Sequence, residues 1–429
     1  MIPAIVGIGG PVLSADEAAL LRACPPAGVI LFGRNVADPA QLRALAASLR
    51  AVLPDAAVLA VDQEGGRVAR LRPPHWRAHP PAAAIGALPA DVAERAAWLT
   101  GALIGLDCAA AGLDLVCAPV LDRRVPGAHD VIGDRAFSAD PSRVAALGRA
   151  MAEGLLAAGV QPVGKHAPGH GRAGADSHLG LPELDDVSDD DLVPFAANAA
   201  LPWMMTAHVR YAVLDRAPAT LSAAVIEAVL RGRLGLRGVL VSDDLAMGAV
   251  ASGGPAGAVA CAALAAGCDI ALHCSGVLDD SAAVLRACPA MTEAARARMA
   301  AARALAEASR RTLDADALAG ERRGLLACTA SWCRCCWRRC RRSPRSCCTS
   351  WRMAGRRWRS ATTPRARPGA CRSSRGATST GSARCCCPAR CCSGSSPPSG
   401  GWSSCSAGPS RCRWRRSACT SASTATRAG

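Results

Sequence analysis

The sequence predicts an α/β chain built as a (β/α)8, TIM-like barrel over residues 1–320, followed by an Arg/Cys/Ser-rich tail over residues 321–429. Three observations carry this. Eight short β-rich apolar runs alternate with longer Ala/Leu/Arg stretches of helical character. Polar residues fall at the C-terminal ends of several different runs, which a closed barrel gathers on one rim and an open doubly wound sheet would spread along a crevice. Every acidic residue, finally, lies at or before Glu321.

The eight runs are Ala4 to Gly10, Gly28 to Gly33, Ala57 to Glu64, Leu113 to Pro119, Val160 to His166, Trp203 to Val209, Gly238 to Asp244 and Cys268 to Ser275. Between them the pattern predicts helices near 15–24, 38–53, 88–111, 141–158, 189–199, 221–233, 251–266 and from 277 onward. Asp62, Lys165 with His166, His208 and Asp243 fall at the C-terminal ends of four different runs.

Charge divides the chain at the same place. Residues 322–429 hold 23 arginines and no acid; of the 50 basic residues that leaves 27 against 34 acids, so the first part carries about −7 and the tail about +23. The tail has no Asp, Glu, Lys, Val or Ile and no sustained periodicity, and is expected not to fold. Out-of-frame translation of a GC-rich gene accounts for such a mixture. A zinc site at Cys333, Cys335, Cys336 and Cys340, or nucleic-acid binding through Arg341, Arg342, Trp337 and Trp351, would need paired spacing that is not there.

The seven cysteines before residue 321 show no disulfide or metal spacing and read as small buried thiols of a reducing compartment. Met1 to Gly7 lacks the basic leader and apolar core of a signal peptide, and no segment has about 18 consecutive apolar residues. The barrel is therefore expected to be cytoplasmic, without a membrane span.

Three constellations carry chemistry. Lys165-His166-Ala167-Pro168-Gly169-His170-Gly171 holds the only lysine of the chain. A sequence that uses arginine everywhere else and keeps one ammonium beside a histidine singles that position out. Pro168, Gly169, Gly171, Gly174, Gly180 and Pro182 then predict a loop rather than a helix. Within it Asp176 and His178 are two apart, so in extended backbone they face the same side and the carboxylate can hold the imidazole for proton transfer.

Asp62 to Arg70, with Gly65 and Gly66 between acids and arginines, suits a hydroxyl-rich ligand, and Arg135 adds a guanidinium after the fourth run. Asp243, at the end of the seventh run, is the better rim carboxylate, while Asp244 is placed to cap the next segment.

These segments, with Gly28 to Asn35, Ala118 to Asp122, Val131 to Phe137 and Ser242 to Met247, resemble in order the bacterial β-N-acetylhexosaminidases of glycoside hydrolase family 3, the single-domain type of peptidoglycan recycling. The resemblance implies Asp243 as nucleophile, His178 as acid/base with Asp176 as its partner, and sugar binding by Asp62, Arg70, Arg135, Lys165 and His166. It implies a two-step retaining hydrolysis of terminal β-linked N-acetylglucosamine, chiefly on muropeptides, by a cytoplasmic monomer with no cofactor, metal, membrane or nucleic-acid partner. Ala167 departs from the family, which places a bulky aromatic there, and this is expected to loosen the base of the loop. The rival expectation is a metal-dependent barrel hydrolase using His166, His170, His178, His208 and Asp243.

Overall fold

The computed structural model describes residues 1–340, with side chains to residue 327. Eight parallel strands close into a barrel in simple sequential order: β1 (Ile2–Gly7), β2 (Pro26–Leu31), β3 (Val58–Val61), β4 (Leu115–Val116), β5 (Gln161–Ala167), β6 (Trp203–Thr206), β7 (Val239–Asp244) and β8 (Ile270–His273), which returns to β1. Each of the eight expected runs contributes one strand.

Strand alternation divides the apolar residues into two cores. Ile5, Ile30, Ala60, Leu115, Val163, Trp203, Met205, Val241 and Leu272 point to the barrel interior. Their neighbours Val6, Val29, Leu31, Leu59, Val61, Met204 and Leu240 pack outward against the helices. A shift of one residue in any strand would exchange the two sets.

The helices start where capping residues allow. Ser14 forms a capping box with Glu17 ahead of Ala15–Ala23, and Asp38 and Asp140 cap helices that begin with Pro39 and Pro141. Helices Ala90–Ala110 and Pro141–Ala157 cross at backbone contact. A Cβ on Gly101 would lie 2.0 Å from the Met151 carbonyl oxygen, and one on Gly154 2.1 Å from that of Trp98. No larger residue fits at that crossing.

Several elements differ from expectation. The sixth crossover is wound as a π-helix over Val225–Arg233, whose exit Leu234 donates to the Val229 carbonyl five residues back. A short two-stranded pair, Glu183–Leu184 with Arg210–Tyr211, braces the loop after β5. The helical stretch from 277 breaks into Leu278–Ala287 and Glu293–Ser309.

The expected boundary at residue 320 falls inside a helix, Ala315–Cys340. Its residues 322–327 belong to the segment expected not to fold, yet Arg322 is 6% exposed and Leu325 and Leu326 pack on the outer core. Arg322 Nη1 is 2.8 Å from His79 Nδ1, and Glu321 takes a fork from Arg95 at 2.9 and 2.8 Å. Ala, Leu and Arg are good helix formers, and that local propensity needs no β-branched residues. The readings placed on Cys333, Cys335, Cys336, Cys340 and on residues 341–429 lie outside the residues whose side chains are described.

Candidate active site

The C-terminal ends of the strands surround a cavity of about 150 Å³ lined by Asp62, Glu64, Arg70, Arg135, Lys165, His166, His178 and Asp243, with Phe32, Met205 and Met247 supplying apolar wall. Seven of the eight expected site residues therefore meet in one place. The eighth, Asp176, lines an adjoining groove together with His178, Arg135 and Val131.

The floor is an ionic lattice. Lys165, 3% exposed, sets its ammonium 2.9 Å from Asp62 Oδ1 and 2.6 Å from Glu64 Oε1. Burial works against its charge, but Asp62 and Glu64 outweigh burial and hold its pKa above the ordinary lysine value. Glu64 also accepts a fork from Arg135 at 2.9 Å on both oxygens. Burial would raise the Glu64 carboxyl; Arg135 and Lys165 override it and keep it well below the usual carboxylate range. Asp62, likewise desolvated, is lowered by Lys165 and by Arg70, whose Nη2 lies 3.2 Å from Asp62 Oδ2.

Arg70 also lies over the Phe32 ring at 5.0 Å, and its buried Nε has no protein partner. Such a donor at a cavity wall is free for a ligand oxygen.

Strand β5 presents His166 beside Lys165. Its Nδ1 is 2.6 Å from Asp122 Oδ2, so Nδ1 carries the proton toward the carboxylate. Asp122 Oδ1 accepts from the His170 backbone N–H at 2.6 Å. One buried carboxylate thus holds both histidines of the motif.

Asp243, the penultimate residue of β7, lines the cavity. Its Oδ1 accepts from the Asp244 N–H at 2.8 Å. Burial raises it, but His166 and His208 outweigh burial, so the pKa lies below the ordinary aspartate value and the group is anionic at neutrality. Asp244 takes a different part: its Oδ1 accepts from the N–H groups of Ala246 and Cys274, both at 2.9 Å, and stitches β7 to β8.

His178 sits on the loop after β5 with its side chain 59% exposed and Nδ1 2.7 Å from Asp176 Oδ1. A carboxylate only accepts, so Nδ1 carries a proton and Nε2 is left for transfer. Desolvation of Asp176 is outweighed by hydrogen bonds from the His178 backbone and ring, which lower its pKa.

The residues of the metal-hydrolase expectation are not assembled this way. His208 has both ring nitrogens engaged, Nδ1 with Thr220 Oγ1 at 2.8 Å and Nε2 with the Asp244 carbonyl at 2.9 Å. Among the described residues no three His, Cys, Asp or Glu side chains are grouped to hold a metal ion.

Sequence reasoning gave no role in the sugar site to Glu64, Asp122, His170 or Ser177, and named His170 only in the metal-hydrolase expectation. Glu64 was signalled by its spacing of two from Asp62, which puts both acids on one side of an extended strand end. Asp122 and His170 meet only through the tertiary fold. Ala167, where a bulkier residue was expected, is fully buried, and its carbonyl accepts from the Ala207 N–H at 2.7 Å. The ladder to β6 therefore holds the start of the loop.

The sequence and the fold both match known proteins. The model of the glycosyl hydrolase family 3 N-terminal domain matches residues 8–311. A β-hexosaminidase of Pseudomonas aeruginosa is 45% identical over 278 residues, 63% of this chain and 82% of that protein. The solved structure of NagZ from Neisseria gonorrhoeae in complex with N-trifluoroacetyl-D-glucosamine superposes with a TM-score of 0.67 at 32% identity, over 76% of this chain and 98% of that one. A β-N-acetylhexosaminidase from Beutenbergia cavernae gives 0.60 at 30% identity, over 70% and 96%.

The chain belongs to glycosyl hydrolase family 3. Within that family it is a glycoside hydrolase of the bacterial β-N-acetylhexosaminidase type.

Proposed function

We propose that the protein is a retaining β-N-acetylglucosaminidase that removes a terminal, non-reducing, β-linked N-acetylglucosamine, with muropeptides of peptidoglycan recycling as its substrates in the cytoplasm, and that it acts as a monomer. The observation that carries the reading is the presence of an anionic Asp243 and a carboxylate-paired His178 on one cavity. Among the described residues no helix is long and apolar enough to cross a membrane.

In the first step Asp243 attacks the anomeric carbon while His178, as imidazolium, gives its Nε2 proton to the departing oxygen. Asp176 balances the charge on the ring and keeps Nδ1 protonated, so that the proton leaves from Nε2. In the second step neutral His178 takes a proton from water at Nε2, and the resulting hydroxide oxygen displaces Asp243 from the sugar. The lattice of Asp62, Glu64, Arg70, Arg135, Lys165 and His166 supplies donors and acceptors for the ring hydroxyls and the acetamido group. Their mutual pairing keeps them in place before a sugar arrives.

The test is hydrolysis of an aryl β-N-acetylglucosaminide by the full chain beside Asp243→Ala and His178→Ala. Losses of roughly 10²-fold or more are expected for each. Wild-type rates in both variants would defeat the reading. For the tail, residues 322–429, we keep the out-of-frame reading, and an intact reading frame on sequencing the gene near codon 325 would defeat it.

A further inference from the structure

Ser177 stands between the two members of the acid/base pair, and it is the one residue of the three that is buried: 2% exposed, against an exposed His178. Its Oγ lies 2.9 Å from His170 Nε2. The His170 ring is itself 2% exposed, and its backbone N–H is fixed on Asp122, the same carboxylate that holds His166. On its other side the Ser177 carbonyl accepts from the Ala249 N–H at 3.1 Å, and the His178 carbonyl accepts from the Gly248 N–H at 3.2 Å. At residues 177 and 178 the loop is thus pinned by main chain to the segment that follows Asp243 and by one side-chain bond to the segment that follows His166; to either side it is tied by the His129 N–H to the Ala173 carbonyl and by the Arg210 N–H to the Pro182 carbonyl, both at 2.9 Å.

Between those outer ties, residues 174–181 have two main-chain bonds to one short segment, which leave a hinge; the bond to His170, from a different strand end, removes that freedom. We propose that the His170–Ser177 hydrogen bond is a positioning latch that sets the Asp176–His178 pair at working distance from the sugar cavity, making His170 and Ser177 positioning residues for the proton-transfer step. The inference rests on the reading of His178 as acid/base. Polarity supports it. His170 Nδ1 is buried with no protein partner, and a bare ring nitrogen costs less there than an orphaned N–H, so the proton belongs on Nε2 and is donated to Ser177 Oγ. Burial, opposed by Asp122, pushes the His170 imidazole down to about 4, so the latch keeps one tautomer across the neutral range.

The test compares kcat/KM, which reports the steps up to the covalent intermediate, on two aryl β-N-acetylglucosaminides: a dinitrophenyl glycoside, whose leaving group needs little protonation, and the unsubstituted phenyl glycoside. Misplacing a proton donor costs up to about 10²-fold where protonation is needed. Ser177→Ala is expected to lose roughly 10- to 100-fold on the phenyl substrate and less than about threefold on the dinitrophenyl one. Ser177→Thr, which keeps the hydroxyl, and His170→Gln, whose amide N–H reaches the place of Nε2, are expected to restore most of the phenyl rate. Equal losses on both substrates, or none, in Ser177→Ala would overturn the latch, as would a Thr variant no better than Ala. His178→Ala run in parallel separates the two claims: a loss there that ignores the leaving group defeats the acid/base reading itself. A steep dependence in His178→Ala with a flat one in Ser177→Ala defeats only the latch.

Discussion

Glu64 and Arg135 meet in a two-pronged contact on the cavity floor, each carboxylate oxygen 2.9 Å from a guanidinium nitrogen. Lys165 lies 2.6 Å from the same carboxylate, so one anion serves two buried cations. Removing it strands Arg135 and leaves Lys165 to Asp62 alone.

Glu64→Gln is therefore expected to lower stability by about 3 kcal/mol or more, since an uncompensated buried charge costs roughly 3–5 kcal/mol. Chemical denaturation of the purified variant reads this directly. A midpoint equal to wild type would show that Asp62 alone suffices for Lys165 and Arg135.

Asp176→Asn keeps the shape of the acid/base partner but replaces an acceptor by an amide that can donate. His178 Nδ1 would then accept, the proton would move to Nε2, and the base of the second step would be lost. We expect kcat to fall by roughly 10²- to 10⁴-fold with KM little changed. Steady-state kinetics on an activated aryl glycoside checks this; a kcat within threefold of wild type would contradict the tautomer argument.

The buried His170 makes the protein sensitive to mild acid. Its folded-state pKa of about 4 lies below the ordinary 6.5, so the unfolded chain binds a proton that the native state refuses. Stability contributed by the neutral imidazole is complete above about pH 6.5, falls as pH drops toward 4, and levels off below that, for a total on the order of 3 kcal/mol. His170→Gln should flatten the dependence of the urea midpoint on pH across this window. A residual slope is expected from His79, lowered by burial against the opposing pull of Asp107. A variant curve parallel to wild type would contradict the assignment.

Ending the chain after residue 320 removes a contact the barrel uses. His79 bridges Asp107, 3.1 Å from Nε2, and Arg322, 2.8 Å from Nδ1, which is the pattern of a neutral ring donating at one side and accepting at the other. Loss of the Arg322 bond should cost about 2 kcal/mol, and the more exposed Glu321–Arg95 pair about 1 kcal/mol or less. Thermal unfolding of chains ended after residues 320 and 327 should separate them. Identical midpoints would mean that the helix contributes nothing to the barrel.

The strand order was legible because the runs repeat one signal: a short, β-rich apolar stretch that tends to finish in Gly or a polar residue. The floor residues were legible for the same reason, since strand ends in a barrel converge. What the sequence concealed depends on contacts between segments far apart in the chain. Asp122 lies 44 positions from the histidine it holds, and Glu64 lies 71 from its arginine. The helix over Ala315–Cys340 was hidden differently: judged by the composition of the whole tail, its first turns lost the local Ala/Leu pattern that marks them.

The exposed position of His178 beside a buried floor has one further consequence. The groups that grip the sugar are locked into strand ends and into each other, so few substitutions there escape a penalty in folding. Residues 174–181 carry little of that burden apart from Ser177, being otherwise exposed or half-buried. Tolerance for different leaving groups can therefore drift through changes in this one loop while recognition of the sugar stays fixed, and the loop is the place to begin in redesigning what the enzyme releases.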